Sequence, residues 1–414
     1  MDKVIGIIDL KSFYASCECA ARHLDPFSTP LVCCDPYRSE NSVVMSVTPY
    51  LKEKYGVPNV CRKGDLPQVK GLIFAQPRMS YYLTLSARVG SIFLDYLARE
   101  DIHVYSVDES FLNLGPYLSL YGCPAEELIK RIQDDIHDRL GLVATAGLGP
   151  NMFLAKLALD NEGKKRPPYL ARWGYEDVET KLWGIKKLTD IWGISSGISS
   201  HLYRIGIRSV KELAMAPLSL LKKEFGIMGD QLHDLAWGRD KSDIERPYTP
   251  KETSLSLGQT LMRDYRKDEG RLILREMTDD LARRLRKSGA LASRISLFVS
   301  YARGSAPFAK ERMLPIATDD TASLYEELLS LYETGVYEIP IRGISISFGR
   351  LSRSSYEQGS LFLAPEEARK RRRLNASIDS IKDRYGLDSV LRCSALLKAS
   401  TAKERHGQIG GHKR

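Results

Sequence analysis

Three carboxylates stand out by their position in the chain. Asp9 closes the apolar run KVIGIID, and Asp108 and Glu109 sit side by side in HVYSVDESFLNL, among Tyr105, Val107, Phe111, Leu112 and Leu114. A carboxylate buried among such residues neutralises, pairs with a cation or binds a metal. If the two segments pair as strands, three hard oxygen ligands meet. That set suits Mg²⁺, which takes few carboxylates and completes its shell with water and substrate phosphates. Two such ions, roughly 3.5 to 4 Å apart, activate an attacking hydroxyl and stabilise a leaving pyrophosphate. The competing reading of VDES is a hairpin tip whose acids are merely solvated. Adjacent strand residues face opposite sides, so Asp108 and Glu109 reach one site only through a bulge or a bend at DES.

The elements that must carry these acids can be read from the pattern. KVIGIID fits a buried central strand, and FYASCECAARHL follows it with helical spacing. Residues 31 to 74 are strand-like and rich in turns, as a small inserted subdomain would be. A long helix is expected over 79 to 99, then the acidic strands, then a helix from Pro124 to Gly141, the strand LVATAGLG and the helix NMFLAKLALDNEG. Strands and helices thus alternate around one sheet bearing both acidic positions.

From about 172 to 240 short helices are broken by glycines, and WGISSGISSHLYRIGI has the spacing of a helix-hairpin-helix, whose glycine turn offers backbone N–H groups to a phosphate. A plain helical hairpin fits the same residues. RDKSDIERPYTPKE, residues 239 to 252, reads as a linker. Beyond it, strands and helices follow the split βαβ plan of a ferredoxin-like unit up to IRGISISFGRL. The remainder is polar and basic with later helical stretches.

The chain has 414 residues, room for several domains, and a formal net charge of +9. Basic residues concentrate in RKSGALASR, EEARKRRRL and the C-terminal TAKERHGQIGGHKR, which points to a polyanionic partner without fixing its sequence. Seven cysteines show neither CxxC pairs nor a disulfide framework, and are read as reduced structural residues. No apolar run spans a bilayer and no signal peptide opens the chain, so a cytoplasmic protein that does not engage a membrane is expected.

Three segments in order also carry a resemblance. IGIIDLKSFYASCE resembles the opening motif of Y-family translesion DNA polymerases, VYSVDESFLNL their second metal motif, and GLGPNMFLAKLALDNEGKKRPP the segment after it. The similarity runs from residue 1 to about 350 and is nearest to the bacterial UmuC-like branch. It implies an α+β multidomain, right-hand polymerase. The ferredoxin-like palm would occupy 1–14 and 75–170, small fingers 15–74 and a helical thumb with a helix-hairpin-helix 171–238. After the linker, a ferredoxin-like little finger would occupy 253–352 and a basic tail 353–414.

By motif position the resemblance makes Asp9, Asp108 and Glu109 the ligands of two Mg²⁺ ions, or Mn²⁺, assisted by the Leu10 carbonyl. Tyr14 matches the steric gate beneath the incoming sugar, with Phe13 packed beside it. Tyr50 matches a fingers tyrosine that contacts the triphosphate. Glu53 departs from the pattern, standing where many members carry arginine, so Lys52, Lys54 or Arg62 would have to substitute. Lys164 or Lys165 fits the palm lysine that faces the triphosphate. Primer-template DNA would be met by Gly193 and Gly197 in the thumb and by Arg294, Arg303 and Arg342 in the little finger. QGSLF resembles the peptide by which bacterial polymerases dock on the sliding clamp, with Gln358, Leu361 and Phe362 as anchors and Gly359 replacing a leucine. UmuC-like relatives further suggest a UmuD-like accessory subunit or a recombinase filament as partners, and a damage-induced role. The activity implied is low-fidelity, template-directed extension of a primer by dNTPs. A catalytically silent DNA- or clamp-binding factor, or a transferase restricted to one nucleotide, are the alternatives.

Overall fold

The N-terminal apolar run becomes β1 (Ile5–Leu10), with all six residues buried, as a strand covered on both faces requires. The structure, a computed structural model, describes residues 3–37, 39–246, 253–353 and 365–414. The chain divides into two units, Met1–Pro247 and Tyr248–Arg414.

In the first unit β1 turns into α1 (Phe13–Ala20) through Ser12, a non-glycine residue held at φ 52°. The segment assigned to the fingers follows as β2 (Leu31–Cys33), β3 (Val43–Val44), β4 (Ser46–Val47), α2 (Pro49–Tyr55), β5 (Cys61–Arg62) and β6 (Ile73–Ala75). Val32, Cys34, Val44, Val47, Leu51 and Val57 give this small subdomain its own core. Next come α3 (Met79–Leu94), which ends earlier than the sequence pattern implies, β7 (Ile102–Val104), β8 (Glu109–Asn113), α4 (Leu118–Tyr121), α5 (Ala125–Leu140), β9 (Ala144–Gly149), α6 (Met152–Ala158) and β10 (Leu170–Arg172).

The main sheet has the order β10-β9-β1-β8-β7. Among β9-β1-β8-β7 the first and third strands are central, the expected ferredoxin-like arrangement, and β10 adds in parallel to the β9 edge. α6 lies so close to β9 that a Cβ on Gly147 would stand 2.2 Å from the Ala155 carbonyl oxygen. The segment assigned to the thumb forms α7 (Ser196–Arg204), α8 (Val210–Met215), α9 (Leu218–Phe225) and α10 (Ile227–Ala236) around Leu202, Val210, Leu213, Leu221 and Leu232.

The second unit has the anticipated β-α-β-β-α-β order: β11 (Ser254–Tyr265), α11 (Lys267–Lys287), β12 (Leu291–Tyr301), β13 (Phe308–Thr318), α12 (Thr321–Gly335) and β14 (Ile341–Ser352). Both crossovers are split by an antiparallel strand, as expected. The sheet order, however, is β11-β14-β12-β13, with the second and fourth strands central instead of the first and third. Burial explains this strand order. Ile295, Leu297 and Val299 of β12 and Ile344, Ile346 and Phe348 of β14 are all nearly inaccessible, whereas β13 carries Lys310, Glu311 and Arg312, charges that suit an edge.

The basic C-terminal segment is no loose tail. It forms α13 (Pro365–Tyr385), α14 (Ala402–His406) and the strands β15 (Gln408–Ile409) and β16 (His412–Lys413). Acids of α11 hold it in place: Arg405 Nη2 reaches Asp280 at 2.7 Å, Arg392 Nε reaches Asp279 at 2.6 Å, and Ser400 Oγ donates to Glu276 at 2.6 Å. Arg286 of α11 in turn pairs with Asp379 of α13 at 2.6 Å. Among the described residues no helix is long and apolar enough to cross a membrane.

Candidate active site

Asp9 and Glu109 are direct cross-strand partners in the antiparallel register of β1 and β8. Cross-strand partners share a face, here the one that also carries Ile5, Ile7 and Phe111 beneath α6. The two carboxyls hydrogen-bond each other in a nearly closed setting, with Asp9 only 9% exposed. Burial pushes Asp9 up to about 7, opposed by Lys164 and reinforced by Glu109. Burial also raises Glu109, but its hydrogen bonds from Asp9 and Lys156 outweigh this and leave it below the usual carboxylate range. The two partners are thus pushed in opposite directions, Asp9 toward keeping its proton and Glu109 toward the carboxylate.

Asp108 stands apart. It belongs to the hairpin between β7 and β8, one residue before the strand, and its carbonyl accepts from the Leu10 N–H at 3.0 Å. Ser106 Oγ donates to Asp108 Oδ1 at 2.7 Å, and the Glu109 N–H donates back to Ser106 Oγ at 3.1 Å. Asp108 lines a small cleft with Ile8, Leu10 and Ser110, residues of the opposite, α3-facing side of the sheet. The bend required at DES is present, yet it gathers two carboxylates and leaves the third across the hairpin. Among the described residues no group of three acid, histidine or cysteine side chains stands ready to hold a metal. The chemistry of the donors nonetheless fits a divalent cation, because hard carboxyl oxygens paired across neighbouring strands are the ligands such an ion takes.

Two lysines stand against these acids. Lys164 Nζ lies 3.0 Å from Asp9 Oδ2, 3.5 Å from Glu109 Oε1 and 2.9 Å from Asp160 Oδ1. Burial works against its charge, but these acids hold it above the ordinary lysine range. Lys165, the alternative in the same motif, is exposed. Lys156, buried on α6, donates to Glu109 Oε1 and lies 3.3 Å from Asp160. Sequence reasoning missed Lys156. Its signal is a single cation inside MFLAKLA, a helix in which every residue is buried.

The Ser12 turn delivers the aromatic pair. Phe13 is buried, and the half-buried Tyr14 ring is wedged between Phe13, with centroids 5.5 Å apart, and Tyr82 at 5.0 Å. Burial and then the charge of Asp108 push the Tyr14 hydroxyl up. Tyr50 sits in the first turn of α2, and its hydroxyl takes a 3.0 Å hydrogen bond from Lys54. Lys11, directly after β1, donates to the Lys164 carbonyl at 3.0 Å and stands 4.7 Å above the Tyr169 ring.

Of the expected DNA contacts, Gly193 adopts φ 92° in the turn before α7, a conformation that favours glycine. Gly197 is an ordinary residue inside α7, and the second glycine turn of this region is Gly206, at φ 90° between α7 and α8. Arg294 lies along Gly349 with its guanidinium 3.8 Å from Glu311, and Arg342 pairs with Asp264 at 3.5 Å. The side chain of Arg303 lies outside the described residues, as do Gln358, Leu361 and Phe362. The uncovered face of the second unit's sheet is lined by small polar residues in register, Ser256–Ser347–Ser296 and Thr260–Gly343–Ser300. Five of the seven cysteines are buried and all are free, in keeping with structural thiols.

A palm-type sheet with acids at the end of its central strands, followed by a second α+β unit, defines a right-hand nucleotide polymerase, and comparison with known proteins gives the family. Residues 8–160 match the impB/mucB/samB family and residues 252–361 its C-terminal domain. The chain belongs to this family, the Y-family DNA polymerases. It is 34% identical to the putative UV-damage repair protein UvrX of Bacillus subtilis (strain 168), over 99% of this chain and 98% of that protein. It is 31% identical to DNA polymerase IV 2 of the same organism, over 99% of each. Among solved structures, a Y-family DNA polymerase chimera of Dbh and Dpo4 superposes with a TM-score of 0.65 at 20% identity, covering 83% of this chain and 98% of that one. The second unit's sheet is thus a little-finger sheet.

Proposed function

We propose that this chain is a DNA-directed DNA polymerase that performs low-fidelity translesion synthesis, joining the α-phosphate of a dNTP to a primer 3′-hydroxyl and releasing pyrophosphate. The observation that carries this reading is the buried Asp9–Glu109 pair within reach of Lys164. A silent scaffold has no use for two carboxyls kept at such desolvation cost. Asp9, Glu109 and the hairpin Asp108 would hold Mg²⁺, or Mn²⁺, with the Leu10 carbonyl beside them. Bound there, the metal supplies charge that lowers the pKa of the primer hydroxyl and stabilises the leaving pyrophosphate.

The remaining work falls to positioning by the chain itself. Tyr14, braced by Phe13 and Tyr82, closes the floor of the sugar site against a 2′-hydroxyl. Tyr50 and Lys164 face the triphosphate from opposite sides. The small polar residues of the open little-finger face let a DNA backbone approach closely and offer hydroxyl donors to phosphates, which position without reading sequence. Arg294 at that face, with Arg303, Arg342 and the Gly193 turn, adds contacts whose contribution falls with salt. Gln358, Leu361 and Phe362 would anchor the sliding clamp. The family and the name of the UV-damage repair relative support a place in DNA damage tolerance, where a UmuD-like subunit or recombinase filament would act as partner.

Primer extension with purified protein, Mg²⁺ and all four dNTPs tests the reading, comparing wild type with Asp108→Ala on undamaged and abasic templates. Extension by wild type alone, including past the abasic site, is expected. Incorporation of a single nucleotide on all templates would favour a restricted transferase, and no extension in the presence of the clamp would leave a scaffold.

A further inference from the structure

Trp192 belongs to two cores at once. It comes directly before Gly193, the turn at φ 92° that leads into α7, and its neighbours Ile191 and Ile194 are buried among the helices assigned to the thumb. Its ring packs against that helical core and also against the sheet core of Ile5, Ile7 and Phe111.

On the sheet side Trp192 completes a triangle of rings. Its centroid lies 5.8 Å from Phe111 and 5.7 Å from Tyr105, which are themselves 5.7 Å apart. Tyr105 meets the other two at 81° and 78°, the edge-to-face arrangement that sets a positive ring edge against a negative face. The Trp192 Nε1–H donates to the Tyr105 hydroxyl at 3.1 Å. Phe111 is fully buried and forms the base, while Tyr105 is 45% exposed and leans on both rings from the solvent side. Packing alone has no need of the indole N–H, since any ring would fill the space. The donor fixes the tilt of Tyr105.

The triangle flanks the acidic hairpin. The backbone N–H groups of Tyr105 and Ser106 both donate to the Glu109 carbonyl at 3.0 Å, which closes the turn, and Ser106 Oγ holds Asp108 at 2.7 Å. Phe111 lies two residues beyond Glu109 on the same face of β8. One ring therefore stands on each side of the Asp108–Glu109 pair in sequence, and Trp192 touches both. The Gly193 turn, to which the polymerase reading gives a DNA phosphate, is one peptide bond away from that contact.

We propose that Trp192 is a positioning residue that couples the seating of DNA on the Gly193 turn to the order of the hairpin carrying Asp108. DNA that holds the turn still also holds the Trp192 ring in the triangle, and the triangle keeps the hairpin closed. Such coupling is reciprocal, so a hairpin fixed by its own ligands favours the DNA-bound turn in return. This coupling rests on the polymerase reading for its DNA, but its test needs no turnover.

Hydrogen exchange over residues 103–110 of the full chain is followed with and without a saturating primer-template, in the absence of metal and dNTP, with DNA affinity measured by fluorescence anisotropy. In wild type, DNA should slow exchange there by about fivefold, the lower end for coupling between two sites. Trp192→Ala should still bind DNA but lose the slowing. Trp192→Phe and Tyr105→Phe keep their rings and remove the same hydrogen bond, so each should retain part of the slowing and the double variant should match either single one. In primer extension Trp192→Ala should lower kcat about tenfold with little change in KM for dNTP, and Trp192→Phe should recover most of the loss. Equal slowing in wild type and Trp192→Ala, no slowing in wild type, or additive effects of the two phenylalanine substitutions would each overturn the coupling. If melting shows that Trp192→Ala does not fold, the phenylalanine pair decides. Failure of wild type to bind primer-template would overturn the polymerase reading and the coupling together, whereas binding without Trp192-dependent slowing overturns the coupling alone.

Discussion

Asp9 and Glu109 face each other across β1 and β8, and burial raises the Asp9 carboxyl to about 7 while Glu109 stays below the usual carboxylate range. The relationship predicts a specific phenotype for Asp9→Asn. The amide keeps the shape and the hydrogen bond to Glu109, so thermal stability should change little. Extension should fall on the order of 100- to 1,000-fold, the effect of losing one preorganised electrostatic group. Primer-template affinity, measured by fluorescence anisotropy, should stay near wild type. A parallel loss of DNA binding would assign Asp9 to the fold.

Lys156 makes a second prediction. It is the buried cation of Glu109, with side chains only 8% and 13% exposed. Lys156→Met leaves that carboxylate to Lys164 alone, and should destabilise the first unit by about 2 kcal/mol, less than for a pair with no second cation. A divalent ion then has more to compensate, so Mg²⁺ should raise the melting temperature of the variant more than that of wild type. Equal shifts would mean that Lys156 and the ion do not share a site.

These two residues also mark how far the sequence could be read. Asp9 was legible because an acid ends an uninterrupted apolar run, which no solvated residue does. Lys156 was not, because a lysine in a short helix looks solvated until the helix is known to be buried on all sides. The hairpin at DES was anticipated from strand alternation, but Ser106, which holds Asp108 across it, was invisible without the turn. Element order in the second unit was legible from periodicity. Strand order was not, since the choice of central strands depends on comparing apolar faces between segments far apart. Gly197 shows the same limit, as its spacing suited a turn while the Ser195 cap set it inside a helix.

The C-terminal segment gives a prediction in pH. His406 lies between Asp280, 3.0 Å from Nε2, and Asp388, 2.6 Å from Nδ1, and the Asp280 hydrogen bond raises its pKa against the opposing effect of burial. A raised histidine contributes stability that is complete below its unfolded pKa of about 6.5 and is lost as pH rises through the folded value. The docking of α14 on α11 should thus weaken above about pH 6.5. Hydrogen exchange of residues 400–409 should quicken from about pH 6 to about pH 8.5, beyond the intrinsic base-catalysed rise, and His406→Gln should remove the excess. An unchanged excess in that variant would place the pH response elsewhere.

Tyr14 carries the last prediction. Its ring is fixed from two sides, by Phe13 and by Tyr82, whose own hydroxyl donates to the buried Glu18 at 2.7 Å. A wall held this firmly cannot yield to one extra oxygen, which is what exclusion of a 2′-hydroxyl requires. Tyr14→Ala should open the space and lower discrimination between dNTP and rNTP roughly 10- to 100-fold, mainly through ribonucleotide kcat/KM. Tyr82→Phe tests the bracing separately. It removes the Glu18 hydrogen bond but keeps the ring, so it should soften selectivity less than Tyr14→Ala while costing about 1 kcal/mol of stability. If Tyr14→Ala selects sugars as wild type does, the ring is packing for the palm and the gate lies elsewhere. If Tyr82→Phe loses as much selectivity as Tyr14→Ala, the exclusion depends on the angle at which the ring is held, and Glu18 becomes part of the specificity of the site.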